Sequence, residues 1–187
     1  MTAPGLITAQ VLAQTRRWLE RAVIGLNLCP FAKSVYAKEQ VHYVVYPGLD
    51  DAELLDMLRQ EMDALTACDP HVRETTLVIA PLLCPDFWDF NGLTARAQRV
   101  LRKSGLAGVL QIASFHPTYE FADDAPQDMA HYTNRAPYPI FHLLREDAVA
   151  RAVADFAQAQ TIFERNRATL RALGPAGWNA LECGPLA

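Results

Sequence analysis

The sequence has no surplus of positive charge, no long apolar run and no paired-cysteine spacing, and each absence closes a class of function. Lys and Arg total 17 against 21 Asp and Glu, a formal charge of -4. Proteins that grip nucleic acid rely on a basic surplus to neutralise phosphates, so no nucleic-acid partner is expected. No apolar stretch approaches the roughly 18 residues that suggest a membrane span. The amino-terminal "MTAPGLITAQVLAQTRRWLERAV" lacks a charged leader followed by an apolar core, so no membrane partner and a cytoplasmic location are expected. Cys29, Cys68, Cys84 and Cys183 are scattered, with no C-x-x-C pair, which argues against a structural zinc site or a disulfide framework. The thiols are expected to be free and reduced. No G-x-G-x-x-G, P-loop or G-x-S-x-G stands in the chain, which weakens nucleotide-dependent and serine-hydrolase readings. There is no internal repeat and no low-complexity segment.

What is present is an ordinary globular composition, 51% hydrophobic and 20% charged over 187 residues, which fits one well-buried domain with loosely ordered ends at 1–7 and 176–187. Residues 11–26 place Leu12, Leu19, Val23 and Leu26 at helical spacing with arginines between, and Pro30 predicts that this helix stops near Cys29. "VHYVVY" at 41–46 reads as a strand, and the Leu54, Leu55, Leu58, Met62 and Leu65 stripe as a helix capped by Asp50 or Asp51. "TTLVIAPL" at 75–82 and "GVLQIASF" at 108–115 read as buried strands, separated by a helix from about Leu93 to Lys103. "IFHLLREDAVARAVADF" and "IFERNRATLRALG" read as two more helices, the last ended by Gly174 and Pro175. The order predicts an α/β domain: a small sheet of about three to four mainly parallel strands packed with about five helices. Pro47, the segment 81–91 and Ser114 to His116 would then leave the sheet at its carboxyl edge, where ligands of open α/β sheets tend to bind.

The segment 114–139, "SFHPTYEFADDAPQDMAHYTNRAPYP", starts at that edge. A stretch this long without helical or strand period is uncommon in a compact domain unless it forms a site. His116 follows the third strand and precedes Pro117; it suits a general acid or base, or it holds the turn by bonding loop backbone. Asn134 and Arg135 stand ahead of prolines that stiffen the segment. Arg offers a fixed fork for a carboxylate or phosphate, so a small anionic molecule is the expected partner, unless Arg135 pairs with Asp86 or Asp89 to pin the loop. Tyr119, from the loop, and Asp89 and Asn91, from "CPDFWDFN", complete the substrate-binding candidates. In that motif Asp86 is expected to cap the next helix while Phe87, Trp88 and Phe90 pack, or two of its carboxylates form an acid and base pair. Cys29, in "NLCPFA", is either a nucleophile or a small buried hydrophobe, and Cys84 is a second thiol to weigh. The two Cys-Pro dipeptides also allow a haem-regulatory reading. His142 and Glu146, four apart on an expected helix, are weak candidate metal ligands with His116. No cofactor is assigned by any motif.

Taken together, "WLERAVIGLNLCPFAKSV", "ETTLVIAPLLCPDFWDFN", "GVLQIASFHPTYEF", "HYTNRAPYPIFHLLRE" and "FERNRATLRALG" resemble the bacterial family known as domain of unknown function 1415, over about 18–174. The resemblance carries over no catalytic assignment. The family pattern has Ser where this chain has Ala136 and Pro where it has Phe163, so no hydroxyl stands beside Arg135 here. The reading is a cytoplasmic small-molecule enzyme acting on an anionic substrate through His116, Arg135, Asn134 and a reactive Cys29, or else a non-enzymatic binding protein that holds a metabolite or partner with the 114–139 loop.

Overall fold

The computed structural model describes residues 4–155 and 159–184. The first helix, α1 (Pro4–Trp18), runs without a break into a π-helical stretch, Leu19–Ile24, in which the amides of Gly25 and Leu28 bond back five residues to Glu20 and Val23. The buried residues are Val11, Gln14, Thr15, Trp18, Leu19 and Ala22 rather than the even Leu stripe expected, and from Leu19 on the wider turn shifts which side faces inward. A Cβ at Gly25 would lie 2.3 Å from the Arg21 carbonyl oxygen, so only glycine fits where the π turn closes. A short helix that the sequence reading lacked, α2 (Ala32–Ala37), leads to β1 (Val41–Val45).

The helix α3 (Asp51–Ala67) starts as its cap predicts, the Asp50 carboxylate accepting the amides of Ala52 and Glu53 at 2.7 and 2.9 Å. It buries Leu54, Leu58, Met62 and Leu65 completely. Each such side chain contributes about 1.5–3 kcal/mol by leaving water. β2 (Thr75–Ile79) follows, then α4 (Phe87–Lys103) and β3 (Leu110–Phe115). α4 begins a turn and a half before the expected Leu93, because Asp86 supplies the cap immediately before Phe87.

The largest correction concerns 140–145. The segment expected to open a helix is β4 (Ile140–Arg145), and α5 (Glu146–Asp155) begins at the next residue. The sheet order is β1-β2-β4-β3, with β1 parallel to β2 and β4 antiparallel to both its neighbours. The three expected strands do share one direction. The crossover from β2 to β3 leaves a gap one strand wide, and β4 fills it from the opposite direction, so most pairings are antiparallel. His142 therefore points from a strand and does not share a helix face with Glu146. Arg145 ends β4 by donating to the Leu65 and Cys68 carbonyls at 2.6 and 2.7 Å, which closes the carboxyl end of α3.

Alternation along the strands divides the core in two. Val78, Ala80, Leu110, Ile112, Phe141 and Leu143 face α3 and α4, while Leu77, Ile79, Ile140 and Phe115 face α1 and its π turn. The last helix, α6 (Ala159–Ala180), breaks at Gly174, where φ is 65°, and resumes. The carboxyl-terminal part expected to be loose is docked through 184, with Cys183 only 3% exposed and Arg21 bridged to Glu182 at 2.7 Å. Residues 1–3 and 185–187 of the expected loose ends lie outside the described residues.

Candidate functional site

Strand register places the ends together. Val45 pairs with Ile79, Ile79 with Ile140, and Ile140 with Phe115, so three carboxyl ends and the amino end of β4 meet at one edge. The 116–139 segment both leaves and returns there. It is held by its own side chains more than by regular structure, apart from a 3-10 turn at Met129–Thr133.

Two histidines staple it. His116 has no exposed surface and lies against the rings of Phe90 (5.0 Å) and Phe87 (5.7 Å). Its Nδ1 accepts the Thr118 amide at 3.2 Å, so Nε2 carries the proton and donates to the Cys84 carbonyl at 2.9 Å. Burial holds its pKa below the usual histidine value, only partly offset by the bond to Cys84. His131, equally buried, repeats the arrangement: Nδ1 accepts the Phe121 amide at 3.0 Å and Nε2 donates to the Ala125 carbonyl at 2.8 Å. Both rings spend both nitrogens on loop backbone.

The Asn134 carbonyl accepts the His116 amide at 3.1 Å, and its side-chain amide donates to the Ser114 carbonyl at 3.1 Å, which zips the two arms of the loop together. Arg135 follows. Its backbone carbonyl accepts the Trp18 indole N–H at 2.9 Å, its Nε donates to the Tyr119 carbonyl at 3.3 Å, and its guanidinium lies 4.2 Å over the Tyr132 ring. Among the described residues it has no carboxylate partner. The alternative, a pairing with Asp86 or Asp89, is not found: Asp86 accepts the Trp88 and Asp89 amides at 2.8 and 3.3 Å. The Tyr119 ring packs on Phe87 at 4.8 Å and Phe121 at 5.0 Å. His116, Tyr119, Asn134 and Arg135 thus form one connected group.

Asp89 and Asn91 stand apart from that group, exposed on the first turns of α4. Trp88 does not pack as Phe87 and Phe90 do, and is 70% exposed. Cys29 is half-buried in the turn between the π segment and α2, next to Leu28, which packs with Met129 and Leu170. The His116 ring nitrogens are taken by Cys84 and Thr118 and make no hydrogen bond to Cys29. His142 turns to the α1 side, its Nε2 bonded to the Thr75 hydroxyl at 2.6 Å and its pKa lowered by burial to about 4. The described residues hold no cluster of His, Cys, Asp or Glu fit to ligate a metal, and no helix long and apolar enough to cross a membrane.

The sequence reading missed the clasp that fixes the site. Arg167 of α6 pairs with the nearly buried Asp124 of the loop, and Arg171 with Asp128 at 2.7 Å, where it holds that carboxyl down to about 2. From the same helix Arg165 donates to the Asn27 carbonyl at 2.8 Å and Asn166 to that of Leu28 at 2.7 Å. α6 therefore grips the Cys29 turn and the Arg135 loop at once. The available signal was two Asp four apart facing two Arg four apart.

The chain belongs to the family described as a protein of unknown function (DUF1415), whose model matches residues 10–180. That span takes in every contact of the group around Arg135. No curated protein and no solved structure matches the chain.

Proposed function

We propose that this chain binds a small anionic molecule, a carboxylate or phosphate, at the carboxyl edge of the sheet, with Arg135 as the fork that holds it. The observation that carries this reading is the state of Arg135. Its backbone and Nε are fixed by Trp18 and Tyr119 and its plane is stacked on Tyr132, yet no carboxylate of the described residues neutralises it. A pre-aimed guanidinium offers two parallel donors to an oxyanion at little entropic cost. His116 has no exposed surface and both ring nitrogens engaged, which weighs for a binding role over proton transfer by this histidine. The protein is read as a cytoplasmic metabolite-binding protein.

Calorimetric titration with a panel of small carboxylates and phosphates tests this. Saturable binding that Arg135→Ala abolishes is expected, with Arg135→Lys retaining a weaker response. A panel that gives no heat, or binding indifferent to Arg135, overturns the reading.

A second reading, an enzyme with Cys29 as its nucleophile, rests on the placement of that thiol. Cys29 is half-buried beside a π turn, and such turns recur at functional sites. α6 holds the two preceding carbonyls. Iodoacetamide labelling of the native protein separates the two readings: selective reaction of Cys29 below about pH 8 favours the enzyme, and inert thiols favour the binding protein.

A further inference from the structure

A groove of about 500 Å³ lies between the first turns of α3 and α4, well populated by chemistry that the site above does not use. Its walls include Cys84, Trp88, Asp89, Leu93 and the Asp51–Arg96 ion pair, whose closest approach is 2.6 Å. Arg96 is therefore already neutralised. Asp89 has no cationic partner among the described residues, and its side chain is exposed. The Trp88 indole is open as well. Elsewhere Arg16, Arg135 and Arg167 each lie over an aromatic ring, of Tyr43, Tyr132 and Phe163, while no cation of the described residues covers Trp88.

The field at the groove floor has a definite sign. Burial raises the Cys84 thiol to about 11, and the carboxylates of Asp51 and Asp89 push in the same direction more strongly than Arg96 opposes them. The thiol is thus uncharged at neutral pH, and the surrounding charge disfavours another anion. The floor is also fixed, since His116 holds the Cys84 carbonyl.

We propose that this groove is a second binding site, selective for a small organic cation, a primary amine or guanidinium on a short apolar stem. The cation would sit over the Trp88 indole and against the Asp89 carboxylate, with the stem along Leu93. An aromatic face and an unpaired carboxylate side by side are the two halves of ammonium recognition, and here both are unfilled. The site is independent of the anion site at Arg135 and takes the opposite charge.

The test is titration of the native protein with n-butylammonium and with agmatine, followed by the indole N–H signals of the three tryptophans in two-dimensional NMR. The Trp88 signal is assigned by its loss in Trp88→Phe. Saturable movement of that signal alone is expected for both cations and not for n-butanol, the neutral isostere of n-butylammonium, at matched ionic strength. Asp89→Asn should weaken binding about tenfold while leaving the other two indole signals in place. Both substituted side chains are exposed, so folding is retained and the dispersion of the spectrum verifies it. An unmoved Trp88 signal, an equal response to n-butanol, or a response to acetate or phosphate in place of the cations would overturn the proposal.

Discussion

The two faces of the sheet are built from different chemistry. Against α3 and α4 the contacts are nearly all hydrocarbon: Leu54, Leu58, Met62, Leu65, Leu93 and Ala97 close on Val78, Phe141 and Leu143. Against α1 the buried set includes Gln14 and Thr15, and the strands contribute Tyr43 and His142. Tyr138, from the end of the 114–139 loop, reaches Gln14 with its hydroxyl. Hydrocarbon packing is tolerant of what it touches, whereas buried polar groups must find specific partners. The first face supplies stability. The second, with the loop that docks on it, fixes where Arg135 stands.

If that division holds, the largest loss should come from the first face. Leu58→Ala removes a fully buried side chain from between α3 and the sheet and should cost about 2–5 kcal/mol in urea unfolding, with anion binding by the surviving folded fraction unchanged. An equally large loss from Leu12→Ala, a half-buried side chain on the α1 face, would erase the contrast.

His116→Ala comes next, at about 2–3 kcal/mol, since it strands the Cys84 carbonyl and the Thr118 amide and leaves a hole between Phe87 and Phe90. A variant as stable as the parent would mean that the imidazole does not serve as the staple, and would return it to the list of groups free to move protons.

Acid should act in two separate windows. His142 has a folded pKa of about 4 against an ordinary value of 6.5, so between those values the unfolded chain binds more protons than the folded one. Stability must therefore fall as pH drops from 6.5 towards 4, and level off below, by about 1–3 kcal/mol from this residue. His116, also lowered by burial, adds in the same direction. Asp128 acts later: its carboxyl is held at about 2 by Arg171, so its contribution is intact above the ordinary 3.8 and is lost as pH falls towards 2. Unfolding free energies measured across pH should show the first decline flattened in His142→Leu and the second in Arg171→Gln. A single decline, unaltered by either change, would mean that neither group is coupled to folding.

How much of this was legible in the sequence depended on whether a residue's partners were local. Asp50 and Asp86 could be assigned as caps because a cap bonds two and three residues ahead. The three strands of one direction could be found because each is a short apolar run ended by turn residues. β4 was hidden because "IFHLLR" joins α5 with no turn between them, and its strand identity comes from the gap between β2 and β3, a property of the sheet and not of the segment. The group of His116, Tyr119, Asn134 and Arg135 was visible as one stiff, polar loop. What holds the Cys29 turn was not, since its partners Arg165 and Asn166 lie far along the chain on α6. Trp88 was misjudged for a different reason: one position along a helix decides between core and solvent, and Phe87 and Phe90 take the inward places.

Arg135 gives the smallest expected change in stability and so the sharpest test of what the second face is for. Its side chain contributes one long bond to the Tyr119 carbonyl, 3.3 Å, and a stack on a half-buried ring, against no ion pair. Truncation to Ala should cost less than about 1 kcal/mol. Arg171 offers the control, because its guanidinium bonds both oxygens of Asp128 and ties the loop to α6. A side chain that pins structure and one that waits for a ligand should separate in a paired measurement. Arg171→Ala should lower the midpoint of thermal unfolding more than Arg135→Ala, while Arg135→Ala should lose the response to carboxylates and phosphates that Arg171→Ala keeps in weakened form. If Arg135→Ala proves the more destabilising of the two, the guanidinium is a structural pin for the loop, and an oxyanion held at that edge must be bound by other donors.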